Sequence, residues 1–262
     1  MAFDATNLVF DKVLRVVAFD KQDKFLYSMT QVQDASLNGA AESTDVLDNV
    51  GAKIMTLYRA KTAEFSGANA LFDLGILGAQ VGSEKVVASD TAKIVVPAFE
   101  TITVDGTATT YTLKNTPVGT ITEIYALNGD SSLGKKFEAA EAASATAFVI
   151  ADGTITVPTG LEKGSQLFVM YEYESENAVR VVNESNKFPK AVKLVIEALC
   201  YDPCDPDTKI LTYIICNNAQ MSSDFDVTMA AGETHPFTYL LQQDYCSAEK
   251  KLYEVVVVND QE

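Results

Sequence analysis

The side chain best suited to acid–base chemistry near neutral pH is His235, the only histidine in the chain, because imidazole alone has an unperturbed pKa in that range. It stands in Glu233-Thr234-His235-Pro236, which reads as an exposed turn. No G-x-S-x-G elbow, H-E-x-x-H helix or C-G-x-C context accompanies it. A second candidate, Gly129-Asp130-Ser131-Ser132-Leu133-Gly134-Lys135-Lys136, has the spacing of a phosphate-cradling loop, but Lys136 stands where the Mg²⁺-binding hydroxyl belongs. Its surroundings carry hairpin signals, so it reads as a turn with two solvated lysines.

Four cysteines, Cys200, Cys204, Cys216 and Cys246, are weak metal-ligand candidates. The first pair has three intervening residues and no second close pair follows. Thiols packed at a strand end, or disulfides formed outside the cell, are the other readings. Asp202, Asp205 and Asp207 crowd a proline-rich turn without the EF-hand pattern. Glu172, Glu174 and Glu176 alternate after Tyr171 and Tyr173, which puts them on one face of a solvated edge strand. No catalytic residue and no cofactor is expected, and none of these groups makes a metal site.

Composition points the same way. The 262 residues carry a formal net charge of −16, from 36 acidic against 20 basic side chains, a surface that repels phosphates rather than binding them. With 47% hydrophobic residues there is enough apolar material for a core. No window reaches the roughly 18 apolar residues of a membrane span, and the start, Met1-Ala2-Phe3-Asp4, does not read as a signal peptide. The expected product is cytosolic.

The elements read mainly as strands. Residues 7–35 have hairpin grammar around Asp20-Lys21-Gln22-Asp23. Ser36 to Asn49 is polar and rich in small residues, an expected long exposed loop, and a strand follows Gly51. Leu71, Leu74, Leu77 and Val81 fall at helical spacing, which predicts one helix over 66–81 with Ser66 as its N-cap and Gly82 as its stop. Between Glu100 and Glu174 the signals are all β, with Asp105-Gly106, Asn128-Gly129 and Asp152-Gly153 as turns. Residues 99–176, with eleven acidic against four basic side chains over 97–176, read as an inserted β-sandwich, Ig-like in arrangement. Ala139 to Ala147 interrupts it as a helical turn or a loop. Strands resume after Pro189 with Val192, Leu194, Ile196 and Ala198 on one face, and end on Tyr253 to Val258.

This order of features resembles the tail tube (major tail) proteins of tailed bacteriophages. The likeness is carried by Ala35-Ser36-Leu37-Asn38-Gly39, by Asp45-Val46-Leu47-Asp48-Asn49 before Gly51, by Tyr58-Arg59-Ala60-Lys61, and by Ala63-Glu64-Phe65-Ser66-Gly67-Ala68-Asn69-Ala70-Leu71-Phe72-Asp73-Leu74. The fold it implies is a sandwich- or barrel-like β domain with one helix, built from 1–98 and 177–262, with 99–176 inserted. It also implies a structural protein of the virion tail, made in the host bacterial cytoplasm. Copies of the chain would form stacked hexameric rings alongside other phage tail proteins, and DNA would pass through without specific binding. Inter-subunit contacts would involve Ser36, Leu37, Asn38, Asp45, Asp48, Asn49 and Gly51. A capsid decoration protein, or a surface adhesion or carbohydrate-binding module, are the alternative readings.

Overall fold

The computed structural model describes residues 7–245 and 248–258. The protein is mainly β with a single helix, its sheets forming half-barrel and sandwich arrangements, as the sequence predicts. In chain order the elements are β1 (Val9–Phe19), β2 (Phe25–Met29), β3 (Val32–Leu47), β4 (Lys53–Asn69) and α1 (Leu74–Val81). They continue as β5 (Val86–Val87), β6 (Ile94–Thr103), β7 (Thr110–Thr112), β8 (Glu123–Leu127), β9 (Leu133–Ala139), β10 (Ala147–Ala151), β11 (Thr154–Thr156), β12 (Gln166–Ser175) and β13 (Val179–Arg180). The last four are β14 (Ala191–Asp202), β15 (Asp205–Met221), β16 (His235–Leu241) and β17 (Glu254–Val258). The chain divides into two compact units, one made of the segments up to Lys85 and from Val181 onward, the other of Val86–Arg180.

The first unit is one sheet in the order β2-β1-β14-β15-β16-β4-β3, with β17 paired to β15 beside β16. Alternation decides which face is buried. Along β14, Val192, Leu194, Ile196, Ala198 and Cys200 point inward while their neighbours stay half-exposed. The first three of them meet Val16, Ala18, Met29, Phe65, Ile76, Phe237 and Tyr239 in one core. Inside it the Tyr27 and Tyr239 hydroxyls share a hydrogen bond of 2.8 Å, which satisfies two phenols that burial would otherwise penalise.

The second unit has its own core, centred on Ile124, Phe148, Ile155, Leu167 and Val169. Its strands follow one another as β6-β12-β8-β9-β10-β11-β7, antiparallel except for the short β9–β10 pair. The Asp152-Gly153 turn has both residues at positive φ, 47° and 73°, the backbone that a tight hairpin between β10 and β11 requires. The chain enters and leaves beside itself, since β5 pairs with β13 through Val87–Val179 and Val86–Arg180.

Two sequence expectations are corrected. Ser36–Asn49 is not a loop, because β3 runs through Leu47 and pairs with β4 along its length. The helix begins at Leu74 rather than 66. Ser66 lies in β4, and Asp73 is the N-cap, its carboxylate accepting from the amides of Gly75 at 2.6 Å and Ile76 at 3.1 Å. The sheet partner β16 claims residues 63–69 for the strand, and an N-cap carboxylate outcompetes a distant serine for the first free amides.

Candidate assembly surfaces

β4 is 17 residues long, but β16 pairs only with its last part, Ala63–Asn69. From Lys53 to Thr62 its outer edge has no strand partner among the described residues, and β3 on the other side is an outer strand of the sheet. Together they form a two-stranded ribbon. It departs at a bulge, where Ala60, at φ 45°, is the extra residue between the Lys61–Ala41 and Arg59–Glu42 pairs. A bulge sharpens the twist and bends the strand, so the ribbon is aimed by its backbone.

The ribbon is exposed on both faces yet carries Leu47, Val50 (82% exposed), Ile54 (64%), Met55 and Tyr58 (74%). Its end is a built turn. Asp48 accepts from the amides of Val50 at 3.0 Å and Ala52 at 2.7 Å, and Gly51 supplies the positive φ of 85°. Asp45 bonds Lys53 at 2.8 Å and the Thr56 hydroxyl at 2.7 Å. Lys53, then Thr56, hold its carboxyl below the usual carboxylate range. Of the expected contact residues, Asp45 and Asp48 shape the ribbon, Asn49 and Gly51 lie in its turn, and Ser36 and Asn38 are exposed on β3 near its base. Leu37 is half-buried against the core.

Beside that base the half-barrel is open. A groove of about 500 Å³ runs between Phe10–Val13 of β1 and Val32–Leu37 of β3, floored by Phe65, Ile196, Ala198 and Ile214. Both rims are irregular. β1 has register shifts at Phe10/Lys12 and Val13/Arg15, and β3 has one between Gln33 and Ser36, where Asp34 sits at φ 51°. No sequence signal pointed to this groove, because its rims come from strands paired to different neighbours.

The candidates for chemistry fall elsewhere. His235 is not in an exposed turn. It opens β16 and is 1% exposed, because Pro236 belongs to the strand rather than to a turn. Its Nδ1 accepts from the Asp73 amide at 3.4 Å, and its Nε2 donates to Gln80 Oε1 at 2.8 Å. Gln80 Nε2 in turn donates to the Pro236 carbonyl at 2.9 Å, and Phe72 stacks on the ring. The neutral imidazole thus ties both ends of α1 to β16. Desolvation lowers its pKa against the opposing pull of Asp73. The folded state therefore resists a proton that the unfolded chain takes up near pH 6.5. Stability from this contact is full above that pH, falls as pH drops through it, and levels off below the depressed folded value. Urea midpoints measured at pH 7.5 and 5.5 are expected to differ in the native protein and to converge in a His235→Gln variant; equal slopes in both would refute the assignment.

Cys200 accepts a hydrogen bond from the Thr212 hydroxyl at 3.3 Å, and burial pushes the Cys216 thiol up to about 12. Their register partners are Ile210 and Leu194, which separates them by about 20 Å along the sheet at 3.3 Å per residue. Cys204 is exposed in the β14–β15 turn, and Cys246 lies outside the described residues. No group of three or more His, Cys, Asp or Glu side chains among the described residues could hold a metal ion. Asp202 accepts from the Cys204 amide and Asp205 from the Thr208 hydroxyl, so both serve the turn. At 129–136 the Ser131 and Ser132 amides bond Asn128 and Asp130 within the β8–β9 turn, and Lys136 pairs with Glu123 and Glu138. Glu176 pairs with Lys93, while Glu172 and Glu174 stay exposed on β12.

Five exposed apolar side chains of the first unit, Leu47, Val50, Ile54, Met55 and Tyr58, are thus gathered on the ribbon, with Phe10 at the groove, while Met229, Tyr245 and Phe188 are exposed elsewhere. Comparison with curated proteins finds no match. The model of the YomU/Tube protein family matches residues 8–250, which takes in both units and nearly the whole chain, and the chain belongs to that family of phage tail tube proteins.

Proposed function

We propose that this protein is the subunit of a phage tail tube in which copies close into stacked rings around a channel that conducts DNA. One observation carries the reading: the β3–β4 ribbon is exposed on both faces and bears Leu47, Val50, Ile54, Met55 and Tyr58. A two-stranded ribbon on its own is marginal in water, and such an apolar surface marks a contact. A second copy is the occupant that a self-assembling tube supplies. The contact residues are then Ser36, Leu37 and Asn38 at the base and Asp45, Asp48, Asn49 and Gly51 towards the tip. The outer edges of β2, β3 and β17, which have no strand partner among the described residues, are available for lateral joining, since an open edge is a template for another chain.

The charge of −16 suits a conduit, because each lysine or arginine bound to phosphate would add friction to a moving polyanion. The role is structural and the place is the virion tail. Within this reading residues 99–176, inside the Val86–Arg180 unit, are an Ig-like addition on the outside of the tube. One observation favours a supplementary adhesive role for that unit: Phe99 is 66% exposed and stacks on Phe168 with 6° between the ring planes.

Negative-stain microscopy of the purified protein at rising concentration is expected to show rings and then tubes. Removing residues 86–180 and joining the flanks with a short Gly/Ser linker is expected to leave thinner tubes. A native chain that stays monomeric throughout refutes the tube reading, and loss of assembly on deletion refutes the external placement.

A further inference from the structure

We propose that the sheet face of β6, β12 and β8 turned away from the core of the Val86–Arg180 unit binds a glycan without acidic groups. One sugar ring stacks on Phe99 and Phe168, with its hydroxyl or amino groups turned to Glu172. This deepens the adhesive role proposed for that unit and rests on it, independently of how the tube assembles.

Register builds the face. Ile102, Leu167, Val169 and Ile124 point into the unit's core, so the residues between them point the other way. There Phe99 of β6 stands opposite Met170 of β12. Phe168, two residues before Met170, stands between Thr101 of β6 and Tyr125 of β8. The Phe99 and Phe168 rings lie 6.1 Å apart with 6° between their planes. Phe99 is 66% and Met170 37% exposed, which leaves an apolar platform bare. The next pair on the same face is Pro97 opposite Glu172, about 7 Å further along the strands at 3.3 Å per residue. An exposed carboxylate therefore stands at the edge of the platform.

Charge and size select the occupant. Glu172 and Glu174 are exposed on this face, and Glu123 and Glu138 share the one cation beside them, Lys136. Four carboxylates against one ammonium repel phosphate- or uronate-bearing polymers, and equally the same face of a second copy. Phe99, Phe168 and Met170 together expose at most about 300 Å², well short of the roughly 800 Å² that each partner of a stable protein pair buries. A sugar ring fits both limits. Its C–H face is apolar and is drawn to the negative face of an aromatic ring, and its rim offers donors that a carboxylate accepts in charge-assisted hydrogen bonds. An amino group on the ring would add attraction to the aromatic faces.

The test titrates the full-length native protein with tetrasaccharides: cellotetraose, chitotetraose in its N-acetylated and deacetylated forms, and tetragalacturonate as the acidic control. At least one of the first three is expected to bind at millimolar concentration and the acidic one not. Phe99→Ala should weaken that binding about tenfold, and Glu172→Ala should weaken it too, with circular dichroism unchanged in both. No binding by any of the first three, equal binding of the acidic sugar, or equal binding by the native protein and the Phe99→Ala variant overturns the proposal. Attachment of the labelled protein to host bacterial cells separates it from the adhesive reading. Attachment lost both in Phe99→Ala and after periodate treatment of the cells, which cleaves sugar diols, supports the glycan. Attachment that needs Phe99 but survives periodate overturns the glycan and leaves the adhesive role, and equal attachment of native protein and variant overturns both.

Discussion

Excising residues 41–61 and joining Ala40 to Thr62 through an Asn-Gly turn is expected to give a folded protein that no longer forms tubes. None of the removed residues is buried, and the cut falls beyond Gly39–Ala63, where β4 still has β16 as its second neighbour. The core around Leu194 and Tyr239 is untouched, so circular dichroism and the urea midpoint should change little. Assembly should change greatly. Two aliphatic side chains buried at about 1.5 kcal/mol each contribute about 3 kcal/mol per contact, which corresponds to more than a hundredfold in dissociation constant. Sedimentation and microscopy over a hundredfold range of concentration would then find single rings or monomers where the native protein gives tubes. Tubes at an unchanged threshold would mean that layers adhere through other surfaces.

That ribbon is also where the sequence was least legible. Strand recognition relies on apolar and polar residues alternating between a buried and a wet face. β3 has no buried face beyond Leu37, so Gln33-Asp34-Ala35-Ser36 and Asn38-Gly39-Ala40-Ala41 look like loop although every register position from Ser36 to Leu47 is paired. The information lies in the partner strand, and single-strand periodicity cannot see it. β14 was plain for the opposite reason: Val192, Leu194, Ile196 and Ala198 are buried in strict alternation with half-exposed neighbours. The helix was half legible. Its stop at Gly82 was correct, but its start was obscured because Ser66-Gly67-Ala68-Asn69 is compatible with a helix and only the pairing with β16 makes it strand. His235 misled in the same way, since a proline at the next position signals a turn unless, as with Pro236, it sits in a strand whose side chains are fixed by packing.

The legible stop at Gly82 predicts the largest single-residue loss of stability. Gly82 closes α1 at φ 71° and ψ 18°, its amide donating to Ala79 and that of Ser83 to Gly78. In this left-handed cap a Cβ costs about 1–2 kcal/mol by itself. The added methyl would also stand 2.3 Å from the Phe188 carbonyl oxygen and 2.7 Å from its amide nitrogen. Those are backbone atoms of the segment that leads into β14, so relief requires moving main chain. Gly51 serves as the control, because it has φ 85° but nothing within 4 Å of where its methyl would stand. Gly51→Ala should therefore show the conformational cost alone, about 1–2 kcal/mol at most, while Gly82→Ala should exceed about 3 kcal/mol, where main-chain displacement is added. For a domain of this size that difference lowers the melting temperature by several degrees, at about 2–4 °C per kcal/mol. Calorimetry of the two variants decides it: equal losses would show that the close approach of Phe188 carries no weight, whereas a much larger loss at Gly82 ties the end of α1 to the entry of β14.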